Sequence, residues 1–214
     1  MKRYFIISLV IGLLVYAPTQ AGADTITGSV KVKGLRSPAN VLVYLTNAPA
    51  VTVDLSKTQF VMDQQNLAFL PQILPVPVGA TVAFPNHDKV DHNVFSLSRT
   101  KKFNLGSYKP GKSGTVRFDK PGMVELRCDV HAEMLAYIMV MKNPYFAVTD
   151  AKGRFKIPGK TGTGGIINLP PGKYVIRTWH EKLKTQKQAI TIAGEKPVSV
   201  QLALTRGTPS VLYK

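Results

Sequence analysis

Apolar residues recur along this chain in short runs, in many of which they alternate with polar residues. Typical runs are TITGSVKVKG (residues 25–34), HNVFSLS (92–98) and GKYVIRTWH (172–180), each flanked by turn-forming residues. Alternation is expected for half-buried strands, whereas an amphipathic helix needs an apolar residue every three or four positions. No long helical pattern follows residue 23. The sequence therefore predicts an all-β protein made of sandwiches or barrels. The other strand-like runs are NVLVYLT, TQFVMD, QILPVPVGATVAF, GTVRFDKPG, MVELRC, LAYIMVM, GRFKIPG and KPVSVQLAL.

The N-terminal 23 residues have a different pattern. Two basic residues precede an apolar run over residues 4–17, and the small residues Ala21, Gly22 and Ala23 follow. This order is typical of a secretory signal peptide, and the run is shorter than the ~20 residues of a membrane-spanning helix. We expect cleavage near Ala23, export to the periplasm, and no membrane span in the mature chain.

The chain is strongly basic, with 28 Lys and Arg against 12 Asp and Glu and a formal net charge of +16. Loss of Lys2 and Arg3 with the predicted signal peptide leaves 26 basic residues, so the net charge becomes 26 − 12 = +14. Such a surplus favours long-range steering toward an acidic surface. Nucleic acid is not expected as a partner, because the chain is predicted to be exported and shows no basic aromatic platform.

Cys128 is the only cysteine of the chain and so has no partner for an internal disulfide. Exported proteins usually pair their cysteines. Alternation in MVELRC places Val124, Leu126 and Cys128 on one inward face of a strand. His131 and Met134 follow at three-residue intervals in a short loop. A buried, inert thiol is the alternative, but these neighbours favour a metal ligand.

A thiolate, an imidazole and a thioether suit copper, which also binds in sites with one Cys, two His and a weak axial Met. The second histidine must come from elsewhere among the four in the chain. His92 begins the strand-like HNVFSLS, where it shares a face with Val94 and Ser96. His87 lies in the turn-rich PNHD, where a solvated side chain is the default. The sequence therefore favours His92 over His87.

At these residues the sequence resembles the cupredoxins, the small blue copper proteins. FLPQILPVPVGATVAFPNHDKVDHNVFS is similar to the family's segment that leads to its first histidine ligand, and CDVHAEM has the CxxHxxM spacing of the amicyanin type. The resemblance covers roughly residues 58–142. It implies a Greek-key cupredoxin sandwich holding one type 1 copper ion, bound by His92, Cys128 and His131 with Met134 as the axial ligand.

The resemblance also implies roles for residues around the ligands. Asn93 matches the position that tethers the ligand loop in the family, and His131 would be the ring nearest the surface, through which electrons pass. Asp129 and Val130 depart from the usual loop. Glu133 is a rival oxygen ligand for the axial position.

The rest of the chain resembles the transthyretin-like sandwich of carboxypeptidase regulatory modules. AVTDAKGRFKI and NLPPGKYVIRTWHE are similar to its Asp-x-x-Gly-x-Phe turn and Pro-Gly-x-Tyr hairpin, and GSVKVKG and ANVLVYL to its opening strands. We predict this sandwich from residues 24–57 and 143–205, with the copper domain inserted as residues 58–142 and a tail at 206–214. The alternative is two consecutive domains, in which the N-terminal strands belong to the copper fold.

One further motif has a structural interpretation. GSYKPGKS, at residues 106–113, fits the phosphate-binding pattern GxxxxGK[ST]. That pattern works only where a helix N-terminus follows and meets the phosphates. The strand-like TVRF follows here, so we interpret the segment as a loop.

Together these features predict an exported type 1 copper protein that carries electrons between periplasmic redox partners and is not itself an enzyme. Four histidines without an HxH or HCH pattern cannot supply the further copper centres of oxidases or nitrite reductases. The expected partner is an acidic redox protein such as a c-type cytochrome or a dehydrogenase. The alternatives are copper delivery without redox turnover, and partner docking by a protein that copper only stabilises.

Overall fold

The computed structural model describes residues 25–56, 58–159, 169–194, 197–210 and 212, so the predicted signal peptide lies outside the described residues. All regular structure in the described ranges is β-strand, which confirms the all-β prediction. No helix of this described part has the length and apolar character needed to cross a membrane. In chain order the strands are β1 (Ile26–Lys33), β2 (Leu42–Leu45), β3 (Phe60–Val61), β4 (Asp63–Gln65), β5 (Ala68–Leu70), β6 (Ile73–Pro77), β7 (Ala80–Pro85), β8 (His92–Ser96), β9 (Phe103–Tyr108), β10 (Ser113–Phe118), β11 (Gly122–Arg127), β12 (Leu135–Met141), β13 (Phe146–Val148), β14 (Arg154–Ile157), β15 (Gly172–Trp179), β16 (Lys187–Ile192) and β17 (Val198–Thr205).

The strands form four larger sheets and the small β4–β5 hairpin. Sheet 1 has the order β14-β1-β17, sheet 2 β13-β2-β15-β16, sheet 3 β6-β12-β11-β8-β9 and sheet 4 β10-β7-β3. Both N-terminal strands, β1 and β2, pair with strands that follow residue 143. The strands between residues 60 and 141 pair among themselves. Whether each pair of sheets is a separate domain stays a prediction.

Three hydrophobic clusters show that the four sheets are stacked as layers. The first cluster lies between sheets 1 and 2, the middle cluster between sheets 2 and 3, and the third between sheets 3 and 4. Strands β2 and β12 belong to inner layers and are buried on both faces. Their sequences, LVYL and LAYIMVM, are therefore continuous apolar runs without alternation.

The third cluster positions the candidate site. Along β11 the inward residues are Val124 and Leu126, and the next inward position, just beyond the strand, is Cys128; all three belong to this cluster. Glu125 and Arg127 lie on the opposite face, as alternation predicts. Cys128 therefore points into the third cluster just beyond the end of β11.

The structure contains five strands that the predicted runs do not cover, namely β4, β5, β9, β13 and β16, apart from Asp63 at the start of β4. β9 and β16 were not predicted, because FNLGSY and KQAITI carry polar or small residues at most positions. The segment GSYKPGKS begins in β9 and ends at the start of β10, and no helix follows it. In the tail, Leu212 is buried in the middle cluster and its carbonyl oxygen accepts a hydrogen bond from Arg177.

Candidate metal centre

Three chain segments meet at the end of the sandwich between sheets 3 and 4. β8 begins at His92, β11 ends one residue before Cys128, and β12 begins one residue after Met134. Residues 128–134, the ligand loop, make a tight connection in which the Met134 N–H donates to the His131 carbonyl at 3.1 Å. The topology thus brings His92 next to a loop nearly forty residues further along the chain.

Nitrogen and sulfur donors converge at this point. Nδ1 of His92 lies 3.1 Å from Nδ1 of His131, and Cys128 Sγ lies 4.0 Å and 3.9 Å from these two atoms. The two imidazole rings meet edge to face, with 4.8 Å between their centroids. Among the described residues, this is the group of His, Cys, Asp and Glu side chains whose donor atoms could share a metal ion.

The donors differ in their access to solvent. His92 is fully buried, Cys128 is 3% exposed and Met134 is 1% exposed. Met134 belongs to the same hydrophobic cluster as Cys128, whereas the side chain of Glu133 is exposed. His131 is half-buried and so connects the group to the surface.

Asp88 fixes the orientation of His92, and sequence reasoning missed it. Its Oδ2 lies 3.0 Å from His92 Nε2 and also accepts the Leu67 N–H at 2.7 Å. The hydrogen bond from the Leu67 backbone, followed by those from His92 and the Lys89 backbone, lowers the pKa of Asp88 to about 2. An ionised carboxylate accepts a hydrogen bond from the Nε2 proton, and in a neutral imidazole this tautomer has its lone pair on Nδ1, which faces the other donors.

Asn86 organises the loop that carries Asp88. It is fully buried, its Nδ2 donates to the carbonyl oxygens of Val90 and Tyr108, and its Oδ1 accepts the Asp88 N–H at 3.0 Å. A carboxylate four residues before a candidate histidine ligand was the signal that could have identified Asp88, because ligating histidines commonly donate their second N–H to such a group.

Asn93 makes a different contact from the one implied by the resemblance. Its Nδ2 donates to Asn104 Oδ1 on β9 at 2.8 Å, and its buried Oδ1 has no hydrogen-bond partner among the described residues. A tether from Asn93 to the ligand loop is not among its contacts. The role predicted for Asn93 therefore stays a prediction.

The other two histidines lie outside the group. His87 is 61% exposed at its side chain and pairs with Asp63, with 2.9 Å between Nδ1 and Oδ2. His180 follows β15, where its Nδ1 accepts the Lys182 N–H, and burial lowers its pKa. The structure thus brings together His92, Cys128 and His131, with Met134 buried in the adjoining cluster, and leaves His87 elsewhere.

The donor set fits a soft or borderline metal ion. Metal bonds of roughly 2.0–2.1 Å to imidazole nitrogen and roughly 2.3 Å to thiolate sulfur suit an ion placed between three atoms that are 3.1–4.0 Å apart. A thiolate, two imidazoles and a nearby thioether form the donor combination associated with copper. The fold and these donors define an all-β protein with a candidate copper site.

Comparisons with known proteins add structural likeness only. No family model matches the chain, and no curated protein matches it. Among solved structures, the chain is similar to a reduced Cu(I) form of an amicyanin variant, with 18% identity and a TM-score of 0.38, over 46% of this chain and 98% of that one. A purple cupredoxin from Nitrosopumilus maritimus has 25% identity and a TM-score of 0.35, over 40% of this chain and all of that one. At these values the likeness alone assigns neither a ligand nor an activity to this chain.

Proposed function

We propose that this protein is an exported, cupredoxin-type copper protein that carries single electrons and is not itself an enzyme. The observation that carries the proposal is the convergence of His92 Nδ1, His131 Nδ1 and Cys128 Sγ, which lie 3.1–4.0 Å from one another beside a hydrophobic core. Bound copper would supply a one-electron centre there, because sulfur donors suit Cu(I) and imidazoles suit Cu(II).

Each residue of the group would have a separate task. Cys128 would bind as the thiolate and release its proton when the metal enters. Asp88 holds the Nε2 proton of His92 and so keeps Nδ1 free to bind. Burial of Met134, in contrast to the exposed Glu133, favours the thioether as the axial ligand. Because His92 and Cys128 sit in a close-packed core, little rearrangement is expected when an electron arrives.

Spectroscopy of the mature protein loaded with Cu(II) tests this proposal. We expect intense visible absorption and narrow copper hyperfine splitting in the electron paramagnetic resonance spectrum. Both features should disappear in Cys128→Ala, because the thiolate–copper bond produces them. His87→Ala is the matched control, since this histidine lies outside the group. A colourless wild type, or a Cys128→Ala variant with the wild-type spectrum, would show that the proposal is wrong.

Electrochemistry separates electron transfer from copper delivery. An electron carrier is expected to cycle reversibly between two oxidation states without losing the metal, at a potential accessible to c-type cytochromes. Release of copper during each cycle would favour the delivery function. The same protein sample serves both measurements, so failure of metal loading is distinguished from failure of redox turnover.

The partner is proposed to dock where His131 reaches the surface. Three exposed apolar side chains lie in this region. Val130 is on the ligand loop, Val90 is on the loop before His92, and Leu67 is on the turn whose N–H donates to Asp88; they are 54%, 41% and 42% exposed. Apolar contacts of this kind let two proteins approach closely enough for electron transfer. With an acidic c-type cytochrome as the partner, Val130→Asp should slow electron transfer, because it removes an apolar contact and adds repulsion between like charges, while Val51→Asp, at another exposed valine, should have a much smaller effect.

Export is part of the proposal. It is supported by the basic and apolar pattern of residues 1–23 and by the small residues that end it. Mass spectrometry of the protein purified from the periplasm should find a chain that starts at Asp24. Recovery of the full-length chain from the cytoplasmic fraction would contradict the export step without affecting the copper site.

A further inference from the structure

The outer face of sheet 1 is polar and basic. On β1, Ile26, Val30 and Val32 point into the first cluster, so Thr27, Ser29, Lys31 and Lys33 lie on the outer face. Arg154 and Lys156 of β14 are the exposed members of that strand. On β17 the outward positions hold only Ser, Gln, Ala and Thr.

The cations of this face are mostly free of acidic partners. Lys156 stands opposite Thr27 and Arg154 opposite Ser29, while Lys31 and Lys33 stand opposite Ala203 and Thr205 of β17. Among the described residues, Arg154 pairs with Asp150 at 2.8 Å, and no ion pair involves Lys31, Lys33 or Lys156. The face therefore carries two pairs of cations, one on β1 and one on β14, and Asp150 is the acidic residue paired with one of them.

This face belongs to the more basic part of the molecule. Of the described residues outside 58–142, twelve are Lys or Arg and three are Asp or Glu, a difference of +9. Residues 58–142 hold ten basic and seven acidic residues, a difference of +3. The positive charge is therefore concentrated away from the candidate copper site.

A shallow depression of about 350 Å³ crosses the three strands on this face. Its lining residues include Thr27, Ser29, Ser199, Gln201 and Arg154, whose side chains carry hydroxyl, amide and guanidinium groups. These groups are hydrogen-bond donors that suit phosphate oxygens, and guanidinium groups bind phosphate through two parallel hydrogen bonds. The depression adds specific donors to a positively charged, open surface.

The composition of the face distinguishes two kinds of anionic partner. Stable protein interfaces contain a buried centre of aromatic or large apolar side chains. Every large hydrophobic residue that is exposed in the described structure lies outside sheet 1. An anionic lipid surface needs no such anchor, because basic residues near the headgroups bind it electrostatically. We propose that the outer face of sheet 1 binds the anionic phospholipid surface of a membrane, an interaction independent of copper.

Vesicle binding tests this proposal with charge-matched variants of the mature protein. The test variant is Lys31→Gln/Lys33→Gln/Lys156→Gln, and the control is Lys102→Gln/Lys112→Gln/Lys120→Gln, which removes the same charge from exposed positions outside sheet 1. Binding is measured by sedimentation with vesicles of phosphatidylglycerol and phosphatidylcholine mixed, and with phosphatidylcholine alone. We expect the test variant to bind the mixed vesicles about a hundredfold more weakly, since each lysine contributes roughly fivefold, and the control to lose much less.

Several results would overturn the proposal. They are equal weakening in both variants, wild-type binding by the test variant, or equal binding of the wild type to neutral vesicles. If the wild type binds polyglutamate but no vesicles, the face binds an acidic polypeptide and the membrane proposal is wrong. Far-ultraviolet circular dichroism of both variants, unchanged from the wild type, establishes that the difference does not arise from misfolding.

Discussion

The first and third clusters are both built from apolar strand faces, but the buried polar groups near them differ in their hydrogen-bond partners. In the sandwich of sheets 1 and 2, buried Thr149 accepts the Val41 N–H and donates to the Pro38 carbonyl. Buried Asn143 likewise donates to one backbone carbonyl and accepts one backbone N–H. These polar groups are satisfied by their own chain and act structurally.

In the sandwich of sheets 3 and 4 the buried donors face one another. His92 Nδ1 faces His131 Nδ1 and Cys128 Sγ, and Asp88 accepts a hydrogen bond from its other nitrogen. A metal ion would satisfy all three donors at once. The comparison shows that convergence of nitrogen and sulfur ligand atoms on one point, more than burial alone, distinguishes a candidate metal site from a structural polar group.

The largest expected effect tests whether the two sandwiches unfold together. Trp179 of sheet 2 is 3% exposed and packs against Tyr137 of sheet 3, with 5.0 Å between ring centroids. Trp179→Ala should lower the free energy of unfolding by about 3–5 kcal/mol, because it leaves a cavity in the cluster between the sandwiches. In urea, the circular dichroism and copper absorbance transitions should shift together. Two separate transitions would show that the sandwiches are independent, and Trp179→Phe should lose much less stability.

Substitution of one glycine in each sandwich compares how tightly the two sandwiches are packed. A Cβ on Gly28 of β1 would lie 2.2 Å from the Val200 carbonyl oxygen and 2.5 Å from Phe155 Cζ. A Cβ on Gly114 of β10 would lie 2.8 Å from Leu105 Cδ1, at the end of a flexible side chain. Gly28→Ala should cost about 1–3 kcal/mol of unfolding free energy by overpacking, and Gly114→Ala clearly less. Equal losses of stability in thermal or urea unfolding would contradict the expectation that the backbone next to Gly28 yields less than the Leu105 side chain next to Gly114.

Asp88→Asn addresses the site directly. Loss of the carboxylate leaves His92 without a charged partner for Nε2, so copper affinity should fall about 10–100-fold, as is typical for such partners. The reduction potential should rise, because a nearby negative charge stabilises Cu(II) more than Cu(I). Competition with a chelator and voltammetry measure the two effects. Asp63→Asn, which removes the partner of exposed His87, is the control, and an equal effect from it would rule out a specific role for Asp88.

Sequence reasoning reached the strand pattern and the candidate ligands because both depend on local spacing. Alternation in MVELRC placed Cys128 inward, and the strand-like start of HNVFSLS separated His92 from His87, where the structure also separates them. Asp88 was missed because its contact depends on the path of a loop held by buried Asn86. β9 and β16 were missed because they form by pairing with neighbouring strands while their own sequences are largely polar.

The stacking of four layers was also beyond the sequence patterns. Continuous apolar runs such as LAYIMVM indicate burial on both faces, but they do not say which sheet covers each face. Met139 and Met141 of β12 pack in the middle cluster, while Ile138 and Val140 pack in the third. Such a division depends on contacts between segments that are distant in sequence.

The smallest expected effect is on the acid stability of the metal-free protein, and it again sets one sandwich against the other. Hydrogen bonds lower the pKa of Asp88 from its ordinary value of 3.8 to about 2. The stabilisation from this carboxylate is therefore complete above about pH 4 and is lost as the pH falls toward 2. The difference in unfolding free energy between the wild type and Asp88→Asn should shrink over that interval in urea titrations. In the other sandwich, a hydrogen bond from the Arg154 backbone N–H is the main cause that lowers the pKa of Asp150. Asp150→Asn should therefore change the acid stability in the same direction. The change should be smaller, because the Asp150 side chain is 42% exposed and that of Asp88 is 11% exposed. A difference that stays constant between pH 5 and pH 2.5 would mean that Asp88 is not held as the ionised partner of His92.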